Sequence, residues 1–80
     1  MKRYLIIIEK AEGNWGAYAP DLPGCVALGD TVEETVTLMR EAMDLHLSAM
    51  AEDGDPIPEP TTLAEYVEVN IPQPAKRKTA

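Results

Sequence analysis

The chain has 80 residues, of which 14 are acidic and seven basic, and it contains a single cysteine, Cys25. A chain of this length forms one domain with a modest core, and a single cysteine excludes an internal disulfide. The apolar run that ends before Glu9 is too short for a signal peptide or a membrane span. We therefore expect a cytoplasmic protein that does not contact a membrane.

The charge is unevenly distributed, because three of the seven basic residues stand together at Lys76-Arg77-Lys78. Residues 1–75 hold the other four basic residues and all 14 acidic ones, which gives them a formal charge of −10. Such an acidic body repels the phosphates of nucleic acids and attracts a basic protein instead. The alternative interpretation is that the acidity only maintains solubility.

Three short strands are predicted before the helix. Residues 4–9 are rich in β-branched side chains, which predicts a first strand covered on both faces rather than an edge strand. A polar turn separates them from residues 15–19, which predict a second strand paired with the first in an antiparallel hairpin. Two prolines, an aspartate and a glycine then predict a turn over residues 20–24. Residues 25–28 follow as a third strand.

A long helix is predicted to begin at Thr31, which forms a capping box with Glu34. Apolar side chains then recur every three or four residues, at Val32, Val36, Met39, Met43, Leu47 and Met50. Further apolar residues widen this arc to about 200°, whereas a helix on one sheet face needs a stripe of only about 100° or somewhat more. The surplus has to be covered by a loop or by a second subunit. We therefore predict self-association through Leu38, Ala42, Leu45 and Ala49.

The remainder of the chain is predicted to return to the sheet. Gly54 and Pro56 end the helix, and an extended connector follows. Residues 66–71 alternate strictly, which predicts a fourth strand with its odd-numbered side chains inward. The predicted fold class is α+β, a two-layer β-β-β-α-β sandwich over residues 1–71 with an antiparallel sheet and one long helix. Its bare sheet face invites dimerisation, and residues 72–80 are predicted to form a disordered basic tail.

No group of residues has the spacing of a catalytic or metal site. His46 lacks a partner for acid–base catalysis, and Cys25 follows a turn into apolar neighbours, where a thiol is unreactive. One cysteine and one histidine do not make a zinc site. Asp21, Asp30 and Glu33 leave open a metal-dependent nuclease, but turn formation, capping and the helix dipole account for these acids better. We predict no enzymatic activity, no cofactor and no metal.

Three motifs occur in a fixed order: the turn Pro20-Asp21-Leu22-Pro23-Gly24-Cys25, the helix start Gly29-Asp30-Thr31 with Glu33-Glu34, and Gly54 followed by Pro56-Ile57-Pro58. This combination, spread over residues 3–71, resembles the HicB-like antitoxin family. The resemblance implies a partial ribonuclease-H-like fold that lacks the catalytic acids. It also implies occlusion of a HicA-type toxin, a small basic ribonuclease that cleaves mRNA. Because family members commonly self-associate, a homodimer or homotetramer is implied as well.

Many members of that family continue into a C-terminal helix-turn-helix or ribbon-helix-helix segment that binds operator DNA. Only nine residues follow the predicted fourth strand here, too few for either unit, so DNA binding is not expected. We predict that the toxin is contacted by exposed acids at Asp21, Glu33, Glu41 and Asp44. The alternatives are an orphan oligomeric module without a toxin and a ribonuclease-H-like nuclease that uses a divalent metal.

Overall fold

The sheet consists of a hairpin and one further strand. A computed structural model describes residues 1–75. In this part of the chain, strand β1 (Ile7–Ala11) pairs with β2 (Asn14–Tyr18), and β2 pairs with β3 (Val26–Gly29), both in antiparallel orientation. The order β1-β2-β3 places β2 in the centre. Gly13 allows the tight hairpin turn, because its φ of +77° lies in the region that glycine adopts readily.

Strand β1 begins later than the sequence predicts, and it lies at an edge of the sheet. Ile7 is opposite Tyr18, the last residue of β2, so residues 4–6 extend past the end of the hairpin. The chain turns at Pro20, where the missing N–H does not support a continued strand. Within residues 1–75, β2 is the only strand that pairs with β1. The prediction of an internal first strand is therefore wrong for the single chain.

The helix α1 (Val32–Glu52) begins and ends at the predicted signals. The Thr31 hydroxyl accepts a hydrogen bond from the Glu34 N–H at 3.0 Å, and the Glu34 carboxylate accepts one from the Asp30 N–H at 2.9 Å. The Thr31 bond confirms the predicted N-cap, whereas the Glu34 carboxylate reaches back to the residue before the N-cap, Asp30, rather than to the Thr31 N–H of a strict capping box. At the other end, Gly54 has a φ of +74°, and the Asp55 N–H donates to the Met50 carbonyl at 2.9 Å. This geometry satisfies a helix carbonyl that would otherwise have no partner.

The core lies between the sheet and α1. Its most buried members are Leu22 and Met39, both with no exposed surface, and they are joined by Ala17, Ala19 and Cys25. Half-buried apolar side chains surround this cluster, among them Tyr4, Ile6, Ile8, Ala27, Ala42, Met43 and Leu47. The antiparallel sheet and its single long helix confirm the predicted α+β class.

The predicted fourth strand is not formed within the described chain. Residues 55–62, here called the connector, cross one end of the sheet, and residues 63–75, the C-terminal arm, continue away from it without regular structure. The predicted strand would point Val67, Val69 and Ile71 inward, but these side chains are 78%, 69% and 81% exposed. A strand needs a neighbouring edge to supply its hydrogen bonds, and the direction of the connector carries the arm away from its own sheet.

The arm makes the chain long. The Cα radius of gyration is 18.5 Å and the longest dimension is 69 Å, whereas a compact chain of this length has a radius of about 12 Å. The basic cluster Lys76-Arg77-Lys78, predicted to belong to a disordered tail, lies outside the described residues. None of the helical residues described here forms a segment long and apolar enough to cross a membrane.

Candidate protein-binding surfaces

The turn over residues 20–25 is fixed by one buried side chain and two backbone hydrogen bonds. Leu22 is fully buried in the core, and its N–H donates to the Ala19 carbonyl at 3.0 Å. The Cys25 N–H donates to the Leu22 carbonyl at 3.1 Å, and Gly24 takes a φ of +84°. The turn is therefore a rigid part of the core, and it presents the neighbouring Asp21 at a defined position.

Asp21 binds the connector. Its carboxylate accepts hydrogen bonds from the N–H groups of Thr61 and Thr62, both at 3.0 Å, and from their hydroxyls at 3.2 and 2.8 Å. These bonds lower the pKa of Asp21, the Thr62 N–H contributing most, because they favour the charged carboxylate. We call this arrangement the Asp21 clamp. It holds Asp21, one of the predicted toxin contacts, to residues 40 and 41 positions further along the chain.

A second set of contacts joins the connector to the N-terminus. The Tyr4 hydroxyl donates to the Pro58 carbonyl at 2.6 Å, and Lys2 Nζ lies 2.6 Å from a carboxylate oxygen of Glu59. The hydrogen bond to Glu59 raises the pKa of Lys2. Because both side chains are largely in solvent, the ion pair adds little stability. The partly buried Tyr4 bond therefore does more to place the connector than the exposed ion pair does.

Three of the predicted toxin contacts lie on α1. Glu33, Glu41 and Asp44 are all exposed, and they lie on one side of the helix; we call them the acidic helix face. Asp44 also borders a groove of about 660 Å³ between α1 and the N-terminal segment, together with Arg40, Val36, Met43 and Leu47. The acidic helix face is therefore accessible to a large partner along its whole length.

Two apolar surfaces are exposed on opposite layers of the fold. The apolar helix stripe consists of the residues predicted for self-association, Leu38, Ala42, Leu45 and Ala49. Leu45 is 73% exposed, Leu38 and Ala49 are also exposed, and Ala42 packs partly against the core. On the outer face of the sheet, Tyr18, Val26 and Leu28 reach solvent. Contiguous exposed apolar side chains of this kind are typical of protein contacts.

The family is identified by a comparison of the whole sequence. A family model described as a HicB-like antitoxin of bacterial toxin-antitoxin systems matches residues 4–73. The chain belongs to the HicB-like antitoxin family. The resemblance inferred from the turn and the helix start is thereby confirmed.

Three relatives of this HicB-like antitoxin chain differ in length. A UPF0150 protein of Synechocystis sp. is 28% identical over 69 residues, which cover 85% of the chain and 87% of that protein. Antitoxin HicB 2 of Photorhabdus laumondii is 35% identical over 68 residues, 84% of the chain and 49% of the antitoxin. An uncharacterised 14.9 kDa protein of Haemophilus phage HP1 is 34% identical over 64 residues, 80% of the chain and 48% of the phage protein. The chain thus spans about half the length of the last two relatives.

The surroundings of Cys25, His46 and Asp21 in this HicB-like chain indicate structural roles. Cys25 is buried, and burial raises the pKa of its thiol, which keeps it protonated. His46 is half-buried on α1. Over residues 1–75, the histidine, cysteine and acidic side chains do not gather into a group of three or more that could hold a metal ion. Asp21 is engaged by the two threonines instead.

Sequence reasoning missed the Asp21 clamp, although both halves are visible in the chain. A Pro-Asp-Leu-Pro-Gly turn presents a carboxylate, and Thr61-Thr62 supplies two adjacent N–H groups and two hydroxyls after a proline-rich connector. An aspartate in a turn commonly bonds its own nearby backbone. The signal for a distant partner was therefore the pair of threonines, which no local rule connects to Asp21.

Proposed function

We propose that this chain binds a HicA-type toxin, a small basic ribonuclease, and prevents it from binding RNA by covering its basic surface. The observation that carries the proposal is the match of residues 4–73 to the HicB-like antitoxin family. The chain acts in the cytoplasm, where mRNA is found, and contributes no catalytic group of its own. Its inhibition is therefore stoichiometric.

The acidic helix face supports this mode of action. Glu33, Glu41 and Asp44 are exposed on one side of α1, and residues 1–75 carry a formal charge of −10. An acidic surface opposite a basic one accelerates association and fixes the orientation of the complex. Because Asp21 is held by the Asp21 clamp, we place the main toxin contact on the helix rather than at the turn.

Charge reversal tests this assignment. We expect Glu41→Lys to lower the association rate constant with a catalytically inactivated toxin about three- to tenfold at low salt, because it weakens electrostatic steering. The difference from the wild type should shrink as salt screens the charges. The matched control is Glu12→Lys, which makes the same charge change in the exposed hairpin turn. Equal effects of the two variants on the association rate would contradict a toxin contact on α1.

The existence of a toxin partner is tested by examining the reading frame next to the gene that encodes this chain. We expect a neighbouring reading frame for a small basic protein whose toxicity is relieved when both are expressed together. Co-expression that leaves toxicity unchanged would favour an orphan module instead. The association rate and the relief of toxicity are separate measurements, so a wrong contact surface can be distinguished from a wrong function.

We also propose that the chain self-associates through the apolar helix stripe. Leu45 is 73% exposed in the middle of α1, and transfer of such a side chain out of water is favourable by about 1.5–3 kcal/mol when burial is complete. Leu45→Glu should reduce the mass of the assembly measured by light scattering. Ser48→Glu adds the same charge at an exposed polar position of α1 and should leave the mass unchanged.

A further inference from the structure

The C-terminal arm has the pattern of a strand but lacks a partner strand in the described chain. Along residues 66–71, apolar and polar side chains alternate, and Val67, Val69 and Ile71 share one side. All three are mostly exposed, and residues 63–75 belong to neither the sheet nor the helix. When such a segment joins a sheet edge, its backbone groups form hydrogen bonds and its apolar side chains leave water, and both changes favour association.

Strand β1 offers an edge that matches this arm. β1 spans the five residues Ile7–Ala11 and is preceded by residues 4–6, whereas β3 spans four residues and leads almost directly into α1. Edge strands are usually protected by charges or prolines. β1 carries the charged residues Glu9 and Lys10 in its second half, but its first half, Ile7 and Ile8, continues the apolar run from Leu5, a composition typical of a strand paired on both sides. A further strand paired with the free side of β1 would make β1 an internal strand, as its sequence predicts.

The charges of the arm and of the β1 edge are complementary. Residues 63–75 contain Glu65 and Glu68 and no basic residue. Of the four basic residues within 1–75, three lie along or next to β1, at Lys2, Arg3 and Lys10. The remainder of the body is strongly acidic and would repel the arm. From Lys2 to Glu12 these three basic residues face two acidic ones, Glu9 and Glu12, and Lys2 also pairs with Glu59, so the β1 edge is less acidic than the remainder of the body and repels the arm less.

The geometry of the connector directs the arm to another molecule. The connector is held at Tyr4 by Pro58 and at Asp21 by Thr61 and Thr62, and from there the arm leads away from its own sheet. We propose that residues 63–71 add as a strand to the β1 edge of a second copy of this chain, which returns its own arm in the same way. A reciprocal exchange around a twofold axis pairs both arms and leaves neither β1 edge exposed. The inference does not rest on toxin binding.

Amide hydrogen exchange of the full chain tests the pairing itself. An edge strand protects only alternate amides, so in a monomer about half of the amides from Leu5 to Lys10 exchange quickly. In the exchanged dimer we expect all of them to be slowed, together with alternate amides of residues 66–71. Protection of the arm without added protection of β1 would mean that the arms pair with each other or with β3, and it would overturn the proposal.

A matched pair of variants tests whether the C-terminal arm is the segment that pairs with β1. Val69→Asp places a charge on the apolar side of the arm, whereas Asn70→Asp places the same charge one residue away on its polar side. We expect Val69→Asp to raise the dimer dissociation constant at least tenfold and to return β1 to alternating protection, and Asn70→Asp to change it less than about threefold. Far-UV circular dichroism should show an unchanged helix in both, because neither side chain contributes to the core.

Two results would refute strand exchange. One is a wild-type chain that sediments at its monomer mass of 8.8 kDa at every concentration, even if β1 is protected, because the arm would then fold back on its own sheet. The other is a dimer that is lost in Leu45→Glu and kept in Val69→Asp, since the helix stripe alone would then account for association. Retention of β1 protection in Leu45→Glu supports the proposal.

Discussion

Replacement of Leu22 by alanine tests whether core packing fixes the turn over residues 20–25. Leu22 has no exposed surface and packs with Met39 and the small residues Ala17, Ala19 and Cys25. Truncation of a fully buried leucine removes its transfer free energy and leaves a cavity, which together cost about 3 kcal/mol. A chain of this length has a total unfolding free energy of roughly 4–12 kcal/mol. The variant should therefore lose a large share of it.

The measurement is urea denaturation followed by far-UV circular dichroism, with thermal unfolding beside it. We expect Leu22→Ala to lower the unfolding free energy by about 3 kcal/mol and the midpoint temperature by about 12–24 °C. The control is Leu28→Ala, the same chemical change at a side chain that is 65% exposed, with an expected effect within about 0.5 kcal/mol. Both changes are made in a Leu45→Glu, Val69→Asp background, in which both proposed self-association surfaces are disrupted, so that association does not add to the stability measured.

The reasoning would be refuted by a loss below about 1 kcal/mol for Leu22→Ala, which is less than any fully buried leucine should cost. Similar losses for the two variants would also refute it, because the difference in burial would then have no energetic consequence. An unchanged dependence of the unfolding free energy on urea confirms that the two transitions compare the same states.

Three further outcomes follow from the described contacts. Asp21→Asn should destabilise the chain at neutral pH; the pKa of Asp21 is lowered on folding, so the contribution is complete above the unfolded value, about 3.9, and is lost as the pH falls through the folded one. Denaturation midpoints of the variant and the wild type should accordingly converge in acid. Gly29→Ala should lower the unfolding free energy by about 1–3 kcal/mol, because the new Cβ would lie 2.5 Å from Thr35 Oγ1 and 2.9 Å from the Thr35 backbone nitrogen. The control Gly16→Ala meets only a flexible methyl group of Leu28 at 3.3 Å, and it should lower the unfolding free energy less in the same denaturation assay. Purified protein with RNA and Mg²⁺ or Mn²⁺ should show no cleavage on a gel; cleavage that disappears in Asp30→Asn would instead establish a nuclease.

The elements that the sequence predicts correctly are those with local causes. The helix start depends on Thr31, which accepts a hydrogen bond from the Glu34 N–H three residues on, and on the Glu34 carboxylate, which accepts one from the Asp30 N–H. The hairpin depends on a glycine turn between adjacent strands. Such interactions form between near neighbours in the chain, so their residue types alone indicate the structure.

The elements that it does not predict depend on distant partners. The alternation of residues 66–71 predicts a strand that the described chain does not form, because a pattern does not identify the edge that would complete it. The same limit applies to the Asp21 clamp, whose partners are about 40 residues away. Among the candidate site residues, the exposure of Glu33, Glu41 and Asp44 follows from helical periodicity, whereas the engagement of Asp21 does not.

The Asp21 clamp also has a consequence for the order of folding. To join Asp21 to Thr61 in an unfolded chain would close a loop of 40 residues, at an entropic cost on the order of 3 kcal/mol. Once β3 and α1 have packed on the hairpin, the two ends of this loop are already close, and the bonds form at little further cost. We therefore expect Asp21→Asn to accelerate unfolding and to leave the folding rate unchanged. We therefore expect the chain to complete its core first and to fix the direction of the arm only afterwards.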